Sequence, residues 1–444
     1  MTHPVCHVML SGIALALVLV PAGLALGEVA AAPLDPADVA ARIQRYRTAE
    51  VTLTVLDAAG KPAAGATVTM SQTRHAFLFG CNGFALKPQD TSPAQQAYQQ
   101  RFTDLLNFAT LPFYWGSFEP QEGKTATDRI RAMAEWFGSR GLATKGHPLC
   151  WHQVDPPWLK DRPVEEVQKL QMGRITRDVT AFTGLIERWD VVNEAVVMPT
   201  YKGGANPLAQ WCAKLGRVEL IKQTFAAARA ADPKATLILN DFDTSDKYEA
   251  LIRECLDAGV PVQVIGIQSH MHSGYWGAQR SWQVCERFAR FGKPLHFTEL
   301  TLPSGEVRKN INWQGRESDW FSTPEGEARQ AREVTEFYRT LFSHPAVQAI
   351  TWWDFSDAGA WLGAPAGLLR KDMTPKPAYE ALLKMIKKEW WTGPLTLKAD
   401  ADGKVKFRGF LGAYSVEAGG QRATVDVPAA GEAAVTAKLA PAPK

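Results

Sequence analysis

The chain has 444 residues, of which 46% are hydrophobic and 21% are charged, a composition typical of a globular protein that folds in water. The formal net charge is only +3 and no basic stripe is visible, which argues against a nucleic-acid-binding protein. The length is sufficient for one large domain and one smaller one. Fifteen tryptophans are either additional core or flat surfaces on which sugar rings can stack.

The N-terminus has the pattern of an export signal. An apolar run extends from Val8 to Leu26, and Ala30-Ala31-Ala32 supplies an A-x-A cleavage site. This predicts a signal peptide over residues 1–32 and a secreted, periplasmic or cell-surface protein. The run is nearly long enough to span a membrane, so an uncleaved anchor is the alternative. We expect no membrane span after removal of the signal, because no later segment is long and apolar enough.

Cysteine usage indicates neither a zinc site nor a redox pair, since no C-x-x-C spacing occurs. Removal of the signal would leave five of the six cysteines. Outside the cytoplasm these could form one or two disulfides, and Cys255 with Cys285 is one candidate pair.

The two flanks of the chain have strand patterns. Residues 48–73 contain two strands of period two around the segment DAAGKPAAGA, and residues 395–440 contain further strands with a turn at Asp402-Gly403. Because neither flank can bury a core alone, we expect them to pack together as one small β-sandwich. VLDAAGKPAAGATV and DADGKVKFRGFLGAYSVE resemble the two halves of carboxypeptidase-regulatory-like (transthyretin-like) domains. Two separate decorations of the central domain are the alternative.

Between the flanks, over residues 75–392, short apolar runs alternate with longer amphipathic stretches. One stretch, Pro207–Ala231, has apolar residues at helical spacing and is followed by Asp232-Pro233, which predicts a single helix. Strands that alternate with helices pair in parallel, so eight such units predict an α/β fold, the (β/α)8 TIM barrel. The predicted strands are Ala76–Gly80, Phe108–Leu111, Ala143–His147, Trp189–Asn193, Thr236–Asn240, Val264–His270, Leu295–Glu299 and Ala349–Asp354.

Polar side chains gather at the C-terminal ends of these strands, where TIM barrels carry their active sites. Glu194 follows the fourth strand and Glu299 ends the seventh, so a closed barrel can bring their carboxyl groups face to face. Two facing carboxyls can hydrolyse a glycosidic bond, because one donates a proton while the other attacks or activates water. The polar residues at the strand ends are His147, Asn193, Glu194, Asn240, Asp241, Gln268, Ser269, His270, Glu299 and Asp354.

Six segments resemble, in order, the motifs of glycoside hydrolase family 10, the endo-β-1,4-xylanase family of retaining (β/α)8-barrel glycosidases. The segments, each with the family motif, are residues 146–152 GHPLCWH (G-H-x-L-x-W-H), 189–195 WDVVNEA (W-D-V-V-N-E-A), 240–241 ND (N-D-Y), 266–270 GIQSH (G-I-x-x-Q-x-H), 298–300 TEL (T-E-L/F-D), and Trp353 with Trp361 (the paired tryptophans).

This resemblance implies a role for each matching residue. Glu194 would be the acid/base and Glu299 the nucleophile of a reaction that retains anomeric configuration, with carboxyl groups roughly 5–5.5 Å apart. Asn193 would hold the 2-hydroxyl of the sugar at the cleavage point, and His270, helped by Gln268, would hydrogen-bond Glu299. The other residues expected to line the substrate site are His147, Trp151, Trp353 and Trp361. Trp189 and Asp190 are expected to support the strand, and His152 to lie behind the site.

One segment departs from the family pattern. After its second strand the family has E-N-x-M-K-W, whose polar residues grip the sugar on the glycone side, but this chain has LPFYWGS at residues 111–117. Alignment on Glu119-Pro120 puts Tyr114 in place of the lysine, so we expect Tyr114 to contact substrate. Losing hydrogen-bond partners of sugar hydroxyls can change substrate preference by orders of magnitude. The loop over residues 303–321, with Trp313 and Trp320, also differs and is a candidate cover of the cleft.

A metal site is the competing interpretation of one motif. His270 and His272 form H-x-H on a strand, as in some barrel metallohydrolases, but those enzymes carry the pair on the first strand with further ligands downstream. We therefore expect no metal and no cofactor.

The sequence as a whole predicts a monomeric, exported, retaining glycoside hydrolase acting on xylan-type β-1,4-linked polysaccharide. One alternative is a related β-glycosidase or glycanase with a non-xylan substrate, which the altered segment 111–117 favours. The other is a non-catalytic carbohydrate-binding barrel, against which the presence of both glutamates argues.

Overall fold

The structure, a computed structural model, describes residues 34–441. The signal peptide predicted over residues 1–32 lies outside these residues. Within residues 34–441, no helix combines the length and the apolar character that crossing a membrane requires.

The strands and helices follow one another in the alternating order that the sequence predicted. The strands are β1 Thr48–Leu56, β2 Thr67–His75, β3 Leu78–Asn82, β4 Phe108–Pro112, β5 Ala143–His147, β6 Arg188–Asn193, β7 Thr236–Asp241, β8 Val264–Ile267, β9 Leu295–Leu300, β10 Val347–Trp352, β11 Leu395–Lys398, β12 Lys404–Phe410, β13 Gly412–Ala418, β14 Gln421–Val427, β15 Gly431–Lys438 and β16 Ala440–Pro441. The α-helices are α1 Pro36–Arg47, α2 Pro93–Leu105, α3 Trp115–Phe118, α4 Thr127–Gly138, α5 Val164–Ala181, α6 Pro207–Leu215, α7 Arg217–Ala231, α8 Asp246–Asp257, α9 Gly277–Ala289, α10 Pro324–Ser343 and α11 Pro377–Lys384.

Strands β3 to β10 form a closed parallel barrel, which confirms the predicted TIM-barrel fold. Each strand pairs with the next along the chain, and β10 closes the ring by pairing with β3. Parallel strands that are covered by helices on the outside are buried on both faces and therefore need nearly continuous apolar sequence. Strands β8 and β9 are buried at every residue, and β10 is buried at every residue except Gln348. All eight C-terminal strand ends consequently meet at one face of the barrel.

The prediction of one continuous helix over Pro207–Ala231 is wrong, because the structure divides this segment into α6 and α7. Gly216 separates the two with a φ of 88°, a left-handed conformation that side chains other than glycine rarely adopt. The apolar spacing continues across the break, so periodicity alone could not reveal it.

Three predicted strands differ from the observed ones by two or more residues at an end, and four others differ by one residue. The sixth strand was predicted to reach His270 but ends at Ile267, since Ser269 adopts a left-handed φ of 58° that leaves the pleated ladder. The first strand is Leu78–Asn82 and the eighth is Val347–Trp352 in the structure, so both start and end at other residues than predicted. Their mutual pairing, with Ala349 opposite Leu78 and Trp352 opposite Cys81, sets these limits, and hydrophobicity alone does not encode it.

The two flanks build one β-sandwich, as predicted. One sheet has the order β12-β1-β15 and the other the order β11-β2-β13-β14-β16, so each sheet combines strands from both flanks. The sheets share an apolar core, and two separate decorations are excluded. The buried core residues include Val51, Leu53, Val55, Val68, Met70, Phe407, Tyr414, Val416 and Val427.

Helix α1, which the sequence analysis missed, joins this sandwich to the barrel. It begins where the Asp35 side chain accepts a hydrogen bond of 2.7 Å from the backbone N–H of Ala37, an ordinary N-cap that the sequence Asp35-Pro36 signals. At its end, Arg47 donates to the carbonyl groups of Phe342, His344 and Val347 at 2.6–2.8 Å. Because Val347 starts β10, the sandwich adjoins the N-terminal face of the barrel, away from the C-terminal strand ends.

The five cysteines of the described range form no disulfide, which corrects the suggested pair. Cys255 and Cys285 lie on different helices, α8 and α9, and each side chain is fully buried in apolar surroundings. They act as small hydrophobic residues of the core.

Candidate active site

A single large cavity opens at the C-terminal ends of the barrel strands. Its volume is about 1140 Å³, enough for several sugar rings. All ten residues that the sequence analysis named as site residues line it: Tyr114, His147, Trp151, Asn193, Glu194, Gln268, His270, Glu299, Trp353 and Trp361. None of its lining residues comes from the β-sandwich.

Glu194 follows β6 directly and turns the chain out of the strand. Its backbone has a left-handed φ of 57°, which is uncommon for a residue with a side chain and recurs at functional sites. The amide of Gln268 donates 3.1 Å to Glu194 Oε1, and the amide of Gln153 donates 3.3 Å to Oε2. His152 Nε2 lies 3.8 Å from Oε2, and burial lowers the pKa of His152 to about 4, so this ring is neutral.

Glu299 lies near the end of β9 and is held by two donors. The Nδ2 group of Asn240 donates 2.7 Å to Oε1, and His270 Nε2 donates 3.2 Å to Oε2. His147 Nδ1 lies 3.9 Å from Oε1. The carboxylate is 3% exposed, so its orientation is fixed by these side chains and not by bulk water.

Asn240 and Gln268 connect the two acidic residues through their amides. Asn240 donates to Asn193 Oδ1 at 2.7 Å as well as to Glu299, and Gln268 donates to the same Asn193 oxygen at 3.1 Å as well as to Glu194. Through these amides, Glu194 and Glu299 belong to one hydrogen-bonded network that spans β6 to β9. Such a network fixes the relative position of its members more firmly than isolated pairs do.

The orientation of Asn240 is itself determined by neighbours. Thr298 donates 2.7 Å to Asn240 Oδ1, which leaves Nδ2 to face Asn193 and Glu299. A Cβ atom at Gly266 would stand 2.4 Å from the same oxygen, so glycine is needed on the adjacent strand. In the sequence Asn240 is visible only as a polar strand end, and nothing there assigned it to the site.

The two carboxyl groups titrate in opposite directions. Burial raises the pKa of Glu194 and the negative charge of Glu299 adds to this rise, although the nearby Trp151 indole and the Gln268 amide oppose it. Burial also acts to raise the pKa of Glu299, but the charge of His147 and the hydrogen bond and charge of His270 outweigh it, so this pKa is lowered. A mildly acidic pH therefore favours a protonated Glu194 beside an ionised Glu299.

A buried ion network supports His147 from below. Asp190 Oδ2 lies 2.6 Å from Lys145 Nζ and 2.7 Å from His147 Nδ1. Burial acts to raise the pKa of Asp190, but the charge of Lys145 and the contacts with His147 lower it, so the carboxylate is ionised. Asp190 thus has the supporting position expected of it, whereas the sequence analysis did not single out Lys145.

Aromatic side chains form the walls of the cavity. The Trp353 ring lies 5.3 Å from the His147 ring and 5.9 Å from the His270 ring, centroid to centroid. Trp361 lies 4.8 Å from His270, and Tyr114 lies 5.5 Å from His147. These rings lie beside the two histidines that face Glu299 and suit the apolar faces of pyranose rings.

The loop over residues 303–321 contributes one of its two tryptophans to the cavity. Trp313 lines the cavity and is 44% exposed, with its ring centroid 5.8 Å from that of Trp361. Trp320 is instead buried under the loop, where its indole donates to the carbonyl of Glu306. The loop therefore forms part of the cavity wall.

The H-x-H pair of the competing metal interpretation serves other contacts. His270 faces Glu299, and His272 is buried with Nδ1 3.1 Å from the hydroxyl of Thr301. Burial lowers the pKa of His272 well below the usual value. Within residues 34–441, no group of three or more His, Cys, Asp or Glu side chains is arranged to hold a metal ion.

Comparison with known proteins supplies a family. The model described as "Glycosyl hydrolase family 10" matches residues 73–385. The chain is 26% identical over 406 residues to Anti-sigma-I factor RsgI6 of Acetivibrio thermocellus, covering 90% of this chain and 47% of that protein. It is 27% identical over 287 residues to Endo-1,4-beta-xylanase A of Caldicellulosiruptor sp., covering 60% of this chain and 40% of that protein. The chain thus spans less than half the length of these two relatives.

A solved structure is similar over most of its length. Native xylanase 10B from Thermotoga maritima superposes with a TM-score of 0.60 at 25% identity, covering 71% of this chain and 96% of that one. The match to the family falls almost entirely on the barrel, which carries every residue of the cavity.

Proposed function

Since the chain belongs to glycosyl hydrolase family 10, we propose that it is a retaining glycoside hydrolase that cleaves β-1,4-linked, xylan-type polysaccharide. The observation that carries the proposal is the pair of buried glutamates in one sugar-sized cavity, with the pKa of Glu194 raised and the pKa of Glu299 lowered. Hydrolysis with retention needs one acid and one nucleophile, and these environments separate the two roles.

In the proposed reaction, Glu299 attacks the anomeric carbon while Glu194 gives its proton to the leaving glycosidic oxygen. The resulting glycosyl ester on Glu299 is then hydrolysed by water, from which Glu194, now ionised, takes a proton. Asn240 and His270 would hold Glu299 in line for attack through their hydrogen bonds of 2.7 and 3.2 Å. Asn193, held by Asn240 and Gln268, would present its amide to the 2-hydroxyl of the sugar.

The expected place of action is outside the cytoplasm. The apolar segment and A-x-A site within residues 1–32 support export, and a polysaccharide substrate is met outside the cell. We also propose that the enzyme works as a monomer, because the barrel supplies both carboxyl groups and the aromatic walls of the cavity. Secretion can be measured by comparing the mass of the N-terminus in cells and in the medium.

The direct test is release of reducing sugar from a panel of polysaccharides containing xylan, mixed-linkage β-glucan, cellulose and mannan. We expect cleavage of xylan by the wild type and at least about a 10³-fold loss in Glu299→Ala, because the residue that forms the covalent intermediate is removed. Glu380→Gln, on the exposed surface of α11, is the matched control. The anomer released first, followed by NMR, should be the β-form. An α-product, or full activity in Glu299→Ala, would rule out the proposed mechanism.

A second candidate is a glycosidase of the same mechanism with a substrate other than xylan. It is favoured by Tyr114, which occupies the cavity at the position where the family carries a sugar-gripping lysine. The same polysaccharide panel decides between the two, since the second candidate requires faster cleavage of some other glycan.

A third candidate is a sugar-binding protein without turnover, which the aromatic walls of the cavity also suit. Calorimetric binding of oligosaccharides without any bond cleavage at high protein concentration would favour it.

A further inference from the structure

One carboxyl group of the cavity has no place in the mechanism above. Asp354 lies two residues beyond β10, lines the cavity and is 7% exposed. Its Oδ1 atom accepts a hydrogen bond of 3.1 Å from the backbone N–H of Trp361. Its Oδ2 atom is buried and receives no hydrogen bond from the protein. A buried carboxylate oxygen without a donor is costly and calls for an explanation.

A neighbouring hydroxyl group is in the same situation. Tyr98, on α2, lines the cavity, is 1% exposed, and its Oη atom has no hydrogen-bond partner within the protein. Its ring packs edge-on against Phe355, the residue after Asp354, at 5.3 Å between centroids. Two unsatisfied polar groups of complementary type, an acceptor and a hydroxyl, therefore occur along one part of the cavity wall.

Two cations, Lys376 and Arg316, act on Asp354 through their charges from a distance. Lys376 Nζ lies 2.8 Å from Asp357 Oδ1, and the same oxygen accepts from the backbone N–H of Gly367. No lysine, arginine or histidine within residues 34–441 lies at ion-pair distance from Asp354. Since no protein group satisfies Asp354 Oδ2, its hydrogen-bond partner is left to the contents of the cavity.

The position of Asp354 in the barrel indicates which part of a substrate would supply that donor. β10 pairs with β3, with Trp352 opposite Cys81, so Asp354 emerges at the junction of the eighth and first barrel strands. Trp353, which precedes it, packs on His147 and His270, the two histidines beside Glu299. The wall that contains Asp354 is thus on the nucleophile's side, and Glu194 stands at the end of β6. The nucleophile bonds to the glycone, so the glycone rings lie along this wall.

We propose that Asp354, assisted by the Tyr98 hydroxyl, binds free hydroxyl groups of a glycone sugar ring and thereby determines which substrates are accepted. The ligand class is a neutral pyranose whose ring hydroxyls are unsubstituted. A ring that is acetylated at this place would leave Asp354 unpaired, and sites built to hydrogen-bond a hydroxyl reject analogues that lack it. This inference rests on the proposed function, because it concerns the same cavity.

The test compares Asp354→Asn and Asp354→Ala with the wild type on aryl β-glycosides of xylose, xylobiose and xylotriose. Removal of the carboxyl group should lower kcat/KM at least about tenfold on the glycosides that are long enough to reach Asp354, chiefly through a higher KM. On the shortest glycoside, which does not reach Asp354, kcat/KM should stay unchanged. Tyr98→Phe should show the same pattern more weakly. The variants should also lose discrimination between xylotriose and its acetylated form.

Asp357→Asn is the matched control. It removes a buried carboxylate three residues away whose partner is Lys376 and which does not line the cavity, so it should reduce stability but keep the wild-type order of substrates. If Asp354→Ala and Asp354→Asn keep kcat/KM within twofold of the wild type on every glycoside, the inference is overturned while the proposed function stands.

Calorimetric titration of each protein with xylotriose separates failure of the inference from failure of the proposed function. If the wild type binds xylotriose without cleaving it, the proposed function fails, and at least about tenfold weaker binding by Asp354→Ala still supports the inference. Unchanged binding of xylotriose by Asp354→Ala overturns the inference. A wild type that neither cleaves nor binds any of these sugars overturns both.

Discussion

Asn240 donates a hydrogen bond of 2.7 Å from its side-chain amide to Glu299, and this bond joins the fifth strand of the barrel to the seventh. The same amide also reaches Asn193, next to Glu194. Asn240 is therefore the residue through which the two carboxyl groups are held in a common geometry, and we expect it to be a positioning residue for the reaction.

Asn240→Ala should lower kcat/KM about 10- to 100-fold, the range expected for loss of a hydrogen bond to a charged group. The acidic limb of the pH profile should move to higher pH, because a donor to the ionised form lowers the pKa of a carboxyl group. Gly266→Ala tests the same contact indirectly, since its Cβ would stand 2.4 Å from Asn240 Oδ1, and it should show a smaller loss in the same direction. A variant Asn240→Ala with an unchanged pH profile would contradict the assigned role.

The opposite pKa shifts of the two glutamates predict a bell-shaped dependence of kcat/KM on pH. Activity should rise with pH as Glu299 ionises, at a pH below the ordinary value of 4.5, and fall as Glu194 loses its proton above 4.5. Part of the rise in the pKa of Glu194 is due to the charge of Glu299. Glu299→Gln should therefore lower the pKa of Glu194, as measured by NMR titration of labelled glutamate, whereas Glu380→Gln should not. An unchanged Glu194 titration in Glu299→Gln would show that the two groups are not coupled.

Much of this arrangement could be predicted from the sequence because it depends on local patterns. Alternating apolar runs and helical stretches encode a parallel barrel, and the barrel brings Glu194 and Glu299 to one face even though they are far apart in the chain. The period-two pattern of the flanks, together with their shortness, was likewise sufficient to predict one sandwich built from both ends of the described chain.

The remaining features depend on contacts between residues distant in sequence. The amide of Asn240 and the carboxylate of Asp354 were visible only as polar strand ends, because their partners, Thr298 and the backbone of Trp361, are known only from the fold. Lys145 lies in the middle of a predicted barrel strand, and this was a usable signal, since a lysine buried there requires an anion. The break at Gly216 was hidden by apolar spacing that continues across it.

The ion pair between Lys145 and Asp190 predicts a large effect on stability. Both side chains are fully buried and 2.6 Å apart, so Lys145→Met would leave the Asp190 carboxylate with the His147 ring as its one remaining partner, at a cost of about 3–5 kcal/mol in the free energy of unfolding. Arg408→Met is the matched control, because Arg408 and Glu50 form an exposed pair at 2.7 Å worth about 1 kcal/mol or less. Urea unfolding measures both. A loss below about 1 kcal/mol in Lys145→Met would show that the network carries little of the stability.

The buried carboxyl group of Asp354 predicts that folding stability depends on pH and is lower where this group is ionised. Burial raises its pKa from 3.8 to about 7, so the folded state keeps the proton while the unfolded state loses it, and folding stability decreases as the pH rises from about 4 to 7. Asparagine cannot ionise, so a protein with asparagine at this position does not lose this stability as the pH rises.

Asp354→Asn should therefore match the wild type in Tm below pH 4 and exceed it by several degrees at pH 8, because one unit of pKa corresponds to about 1.4 kcal/mol. Asp357→Asn should instead lower Tm at pH 8, since it leaves Lys376 without its carboxylate partner. Differential scanning calorimetry at both pH values measures these Tm differences. Equal Tm values of Asp354→Asn and the wild type at pH 8 would mean that the carboxylate has a donor in the free protein. A higher Tm together with weaker sugar binding would identify Asp354 as a residue that reduces stability in order to bind substrate, the trade-off that functional sites commonly show.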